Sequence, residues 1–222
     1  MIEERFVLAA TTSQQTVLTI TGVTGNTIDF FYRTLPGNRP SSLGNVAYIW
    51  QASNQVPWGT PPLNKFPIQT DTQSGSGSFS NLDVTNLDYI LGYAVGPDTS
   101  TICSTGYVPV IGGGDYQYRQ TSLALGTIGP TSLSVNYSTP IGYQPLTNKN
   151  WAGIWEGETA SYNNPPKWMV AASLDVSAAT LSFNNIALRR GWTYTVAWFM
   201  GGWNATAPKL STMAASLTFS NS

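Results

Sequence analysis

Glu156 and Glu158 stand two residues apart at the close of an apolar stretch, and on a strand that spacing puts both carboxyls on one face. Paired carboxyls are what glycosidic-bond cleavage needs, one as acid and one as base or nucleophile, roughly 5–9.5 Å apart. The adjacent Gly157 and Thr159 argue instead for an exposed turn with solvated side chains. Asp83, Asp88 and Asp98 could gather a calcium ion, but their spacing matches no calcium loop. Cys103 has no neighbour that would lower its thiol pKa and is expected to be a half-buried structural thiol. Four aromatics in loop-like segments offer recognition rather than catalysis: Trp58, Tyr143, Tyr162 and Trp203, set among Asn, Gln, Gly, Ser and Pro. Rigid rings in such company suit a paratope-like protein surface. They suit sugars equally, whose C–H faces stack on rings while amides take the hydroxyls. These four are the expected ligand-binding residues; the competing expectation is that they cap the ends of the fold.

The chain has no histidine and one cysteine. That excludes Ser-His-Asp and Cys-His nucleophiles, histidine-ligated metals and thiolate clusters. No catalytic residue, metal or cofactor is therefore expected, and an enzyme survives only on carboxylates, tyrosine, lysine or arginine. Charged residues make up 9% of the 222, ten basic against eleven acidic, for a net charge of -1. An ordinary globular chain carries roughly 25%. Without a basic face, nucleic-acid binding is disfavoured. An aromatic content of 12% argues against disorder, and no stretch approaches the 18 apolar residues of a membrane span. The surface must be built of Ser, Thr, Asn, Gln and Gly. Such surfaces favour an extracellular or surface location and make self-association to a homo-oligomer easy. The opening Met1-Ile2-Glu3-Glu4-Arg5-Phe6 shows acids where a secretory signal would show bases.

The elements that must position these residues are repeated. Shifted by 105 positions, residues 27–61 fall on 132–166 without a gap, with nine identical pairs, among them Thr34/Thr139, Gly37/Gly142, Pro40/Pro145, Asn45/Asn150 and Trp50/Trp155. Tyr89 meets Tyr194 under the same shift. A period this long is a duplicated domain rather than a solenoid unit. Period-two alternation predicts strands at 17–21, 27–33, 45–51, 78–82 and 88–95, and at 121–125, 131–138, 150–156, 180–186 and 192–200, flanked by 6–12, 105–110 and 213–219. Turns are expected at Ser74-Gly75-Ser76-Gly77, Gly96-Pro97-Asp98 and Pro165-Pro166, among others. Residues 194, 196, 198 and 200 should face one way and 195, 197 and 199 the other, so the late strand is apolar on both faces and must be covered on both.

Trp50 and Trp155 close equivalent strands, and Tyr89 and Tyr194 open equivalent late ones. In this both halves resemble immunoglobulin-like and fibronectin type III-like modules. The resemblance implies a central-strand aromatic set against the opposite sheet and a tyrosine whose hydroxyl ties a corner. The expected architecture is all-β: two tandem sandwiches over residues 1–111 and 116–222, joined by the glycine-rich seam 112–115. The expected function is a non-enzymatic binding protein that recognises carbohydrate or a partner protein through the loop aromatics. Alternatives are a self-assembling appendage, coat or inclusion component, and a receptor-binding toxin subunit.

Overall fold

The computed structural model describes residues 11–221. The first copy supplies β1 (Thr11–Gln15), β2 (Val17–Val23), β3 (Thr27–Arg33), β4 (Val46–Gln51), β5 (Asn64–Pro67), β6 (Ser74–Ser80), β7 (Tyr89–Ala94) and β8 (Ile102–Val108). The second supplies β9 (Gln117–Gln120), β10 (Ser122–Gly129), β11 (Ser132–Ser138), β12 (Trp151–Glu156), β13 (Trp168–Ala171), β14 (Ala178–Asn184), β15 (Trp192–Phe199) and β16 (Met213–Asn221). In each copy a three-stranded sheet, β2-β3-β6 or β10-β11-β14, packs on a larger one, β5-β4-β7-β8 or β13-β12-β15-β16. That strand order is the fibronectin type III-like sandwich the sequence led us to expect. No helix is long and apolar enough to cross a membrane among the described residues.

Two strands leave their own copy. β1 pairs antiparallel with β16, Thr11 opposite Phe219 and Gln15 opposite Ala215. β9 pairs with β8, Gln117 opposite Tyr107 and Gln120 opposite Ser104. Each copy thus lends its leading strand to the edge of the other's larger sheet before entering its own. The expected seam, residues 112–115, is the turn of the β8–β9 hairpin, and pairing crosses it in both directions. The chains cross at Thr16 and Thr121, both 1% exposed. Their amides donate to Ala214 O at 2.9 Å and Cys103 O at 2.7 Å. Beside the crossing, Gln15 Nε2 donates to Gln120 Oε1 at 3.1 Å, linking residues that are equivalent by the 105-residue shift. The exchange covers the edges of β16 and β8 with short polar strands, and one hydrophobic cluster runs through both sandwiches, from Leu18 and Phe30 to Leu217 and Phe219.

Strand 74–80 replaces the turn expected at Ser74-Gly75-Ser76-Gly77. Its glycines lie on the inner face because the ring of Phe30 occupies the space there: a Cβ on Gly77 would sit 2.5 Å from Phe30 Cζ. Close ring approach, not a reversal of the chain, explains these glycines. The strand expected at 6–12 lies outside the described residues except for its last two positions, which belong to β1. β5, β9 and β13 have no clear alternation and are additions to the expected set.

The central-strand tryptophans face the other way from the expectation. Ala47 and Ile49 point into the sandwich, whereas Val46, Tyr48 and Trp50 form a second cluster on the outer face of the sheet. Trp151 and Trp155 do the same in the second copy. The segment between β4 and β5 folds back over that face, so that Trp50 Nε1 donates to Thr60 O at 3.0 Å. Trp155 Nε1 donates likewise to Asn164 O at 3.0 Å. A long loop with its own apolar residues thus turns an outer sheet face into a second small core. It also covers the far side of the late strands: Tyr194, Val196, Trp198 and Met200 face the interior, Ala197 and Phe199 the outer cluster.

The tyrosine corners are as expected. Tyr89 Oη accepts from the Asp83 amide at 2.9 Å and Tyr194 Oη from the Arg189 amide at 2.8 Å. Tyr89→Phe and Tyr194→Phe each leave a partly buried amide without its acceptor. Each should cost about 1–2 kcal/mol in urea unfolding, with an unchanged m value.

Candidate functional site

The four loop aromatics are the place to begin, and the structure gives them internal work. Tyr143 is 1% exposed. Its hydroxyl donates to Asn150 Oδ1 at 3.0 Å and reaches Ser100 O in the turn that follows β7 of the other copy. Trp58 crosses from the first copy to meet it edge-on, ring centroids 5.2 Å apart, and donates its indole N–H to Ile141 O at 2.9 Å. Tyr162 crosses the opposite way: a Cβ on Gly37 would come within 3.3 Å of its ring. Tyr162 packs in the outer cluster of the second copy, which Leu35 of the first copy completes. Trp203 leans on Trp151 at 6.2 Å between centroids. Of the four, Trp58, Tyr143 and Tyr162 pack where the halves meet and Trp203 packs against an outer cluster; Tyr143 is buried and the other three are half-buried. Rings on unshared loops fit here because the two halves, though alike, meet through non-identical surfaces.

The shared residues of that region hold the loop between the third and fourth strand of each sandwich. Asn45 and Asn150 accept through Oδ1 from Asn38 Nδ2 and Tyr143 Oη, both reached from the position seven residues earlier. Their amides bond Pro40 O at 2.7 Å and Pro145 O at 2.8 Å. Thr34 and Thr139 each donate N–H and hydroxyl to one carbonyl, Gln73 O or Ser177 O. The pairs Gln15/Gln120 and Thr16/Thr121 were missed as a site, although they repeat under the same shift ahead of the aligned block.

The titratable candidates do not converge. Glu156 is held by Lys167 Nζ at 2.6 Å, while Glu158 is exposed in the following turn. Asp83 binds Thr85 and Asn86 side chains, whose hydrogen bonds hold its carboxyl below the usual range. Asp88 accepts from the Val110 amide at 2.8 Å. Among the described residues no group of three or more His, Cys, Asp or Glu is placed to hold a metal ion. Cys103 is fully buried, not half-buried, and burial pushes its thiol up to about 12. A thiol whose native pKa is raised ionises more readily in the unfolded chain. Its contribution to stability is thus intact below about pH 8.5 and is lost as pH rises towards 12. We expect Cys103 to resist alkylation in native protein at pH 8 and to react in full once urea unfolds it. The urea midpoint should fall between pH 9 and 11. Rapid native labelling would contradict the burial.

Two further features lie at the outer ends. At the first copy's corner, Ile111, Gly112, Gly114, Asp115, Tyr116, Pro109, Val110 and Val23 line an open cavity of about 410 Å³. At the second copy's corner, the Arg189 guanidinium lies over the exposed Trp192 ring, 4.7 Å from its centroid.

No protein-family model matches the chain, and no curated protein matches it. Among solved structures it is similar to the central fibronectin type III array of RIM-binding protein, at 8% identity and a TM-score of 0.25, covering 82% of this chain and 60% of that one. The chain thus spans 60% of that array's length. The sandwich assignment rests on the strand order itself.

Proposed function

We propose that this protein is a non-catalytic assembly component, a stiff double sandwich that works through contact between protein surfaces. The observation that carries this reading is the reciprocal exchange of β1 and β9, which makes one body of two copies. The same packing engages Trp58, Tyr143 and Tyr162, which favours assembly over recognition of carbohydrate or of a partner through those rings. What remains outside is a polar surface with a net charge of -1, which opposes neither self-association nor close packing. The self-assembling alternative therefore ranks above the loop-aromatic binder. The buried Cys103 and the ion-paired Glu156 offer a reaction neither nucleophile nor free base. Light scattering across a concentration series tests the reading. A weight-average mass that climbs with concentration supports it, and a constant monomer mass throughout contradicts it.

A further inference from the structure

The duplication lets the two ends of the molecule be compared position by position. β7 runs from the corner at Tyr89 to Ala94, just ahead of the Thr99–Thr101 turn onto which Tyr143 docks. β15 (Trp192–Phe199) carries the corner Tyr194 near its start, and the residue after it, Met200, accepts from the crossing residue Thr121 at 3.6 Å. Each tyrosine corner therefore lies at the end of its sandwich away from the junction.

At these outer ends the copies differ in a complementary way. The amide bonded to the corner tyrosine belongs to Asp83 in the first copy and to Arg189 in the second. Asp115 lines the cavity, Asp88 accepts from the amide of Val110 in its wall, and the rim carries Ile111, 51% exposed, and Tyr116, 40% exposed. Ile111 is tied to the same corner through its amide, which donates to Val84 O at 3.1 Å. Around Arg189 stand Arg190 and Trp192, the latter 43% exposed. Glu156 on that end is matched by Lys167, and Glu158 lies beyond it, its carbonyl accepting from Thr218 Oγ1. Among the described residues neither arginine makes an ion pair.

Resting on the assembly reading above, we propose that copies of this chain join end to end. The Arg189–Arg190–Trp192 end of one copy seats on the acidic cavity end of the next. The indole occupies the cavity, whose wall combines Val23, Pro109 and Ile111 with Asp115, and the guanidinium groups face Asp83 and Asp115. Acid and base on opposite ends make the contact head-to-tail. Such a contact does not close on itself and generates an open series rather than a dimer.

Sedimentation velocity on the full chain and two exposed-residue variants tests this. Arg189→Glu with Arg190→Glu should remove the basic end, and Asp83→Arg with Asp115→Arg the acidic one. Each variant alone should raise the apparent dissociation constant at least about tenfold. Mixed in equal amounts, the intact basic end of one variant meets the intact acidic end of the other and the reversed ends are complementary as well, so association should recover and run in alternating copies. Trp192→Ser should weaken association when read well below the variant's own melting temperature. Assembly that persists unchanged in both variants overturns the end-to-end contact while leaving the assembly reading in place. A wild-type chain that is monomeric throughout overturns both. A closed dimer of the wild type contradicts the head-to-tail geometry.

Discussion

Thr16→Pro and Thr121→Pro should each destabilise the protein by about 2–4 kcal/mol and loosen the two halves from one another. Each substitution removes a buried amide whose acceptor, Ala214 O or Cys103 O, then has no donor, and puts a ring where the strand leaves its partner's sheet. At this chain length about 2–4 °C of melting temperature corresponds to each kcal/mol. The effect should not be confined to the mutated copy, since Thr16 lies between β1 in one sheet and β2 in the other. Proteolysis of the Thr16→Pro protein should therefore start at the exposed strand β1 and expose β16, which belongs to the opposite half. An equal loss of stability with the two halves still melting together would show that the crossing is not what joins them.

The second large effect concerns Tyr143. Tyr143→Ala empties a buried site between the halves and should cost about 3–5 kcal/mol. Tyr143→Phe keeps the ring but leaves Asn150 Oδ1 and Ser100 O short of a donor, for about 1–3 kcal/mol. A double-mutant cycle with Trp58→Ala should give a coupling of about 0.5–1.5 kcal/mol, as for an edge-on aromatic pair. A ligand-binding ring would behave differently. Its removal would leave the melting temperature of the free protein unchanged, and unchanged melting for Tyr143→Ala would restore the rim interpretation.

These cases show what the chain discloses by itself. The duplication was legible because identical pairs such as Thr34/Thr139 and Asn45/Asn150 make equivalent bonds in both copies, the threonines to Gln73 O and Ser177 O and the asparagine amides to Pro40 O and Pro145 O. The tyrosine corners were legible for the same reason. The direction of Trp50 was not, because alternation gives two faces without saying which is inward, and in β4 both are apolar. Ser74-Gly75-Ser76-Gly77 resembled a turn because its glycines serve ring packing. The exchange of β1 and β9 escaped notice because pairing partners far apart in sequence leave no local pattern, and Thr11–Gln15 carries no apolar residue. The packing of the loop aromatics was not legible for a related reason: two similar halves packed together need unlike residues where their surfaces meet, and no local pattern marks them.

Differential scanning calorimetry of the intact chain is the most direct test of the central claim, that reciprocal strand exchange makes the two copies a single cooperative body. One endotherm is expected, with calorimetric and van't Hoff enthalpies equal for the whole chain. Two separable transitions, or a van't Hoff enthalpy about twice too small for the calorimetric one, would show two sandwiches melting independently and would contradict it.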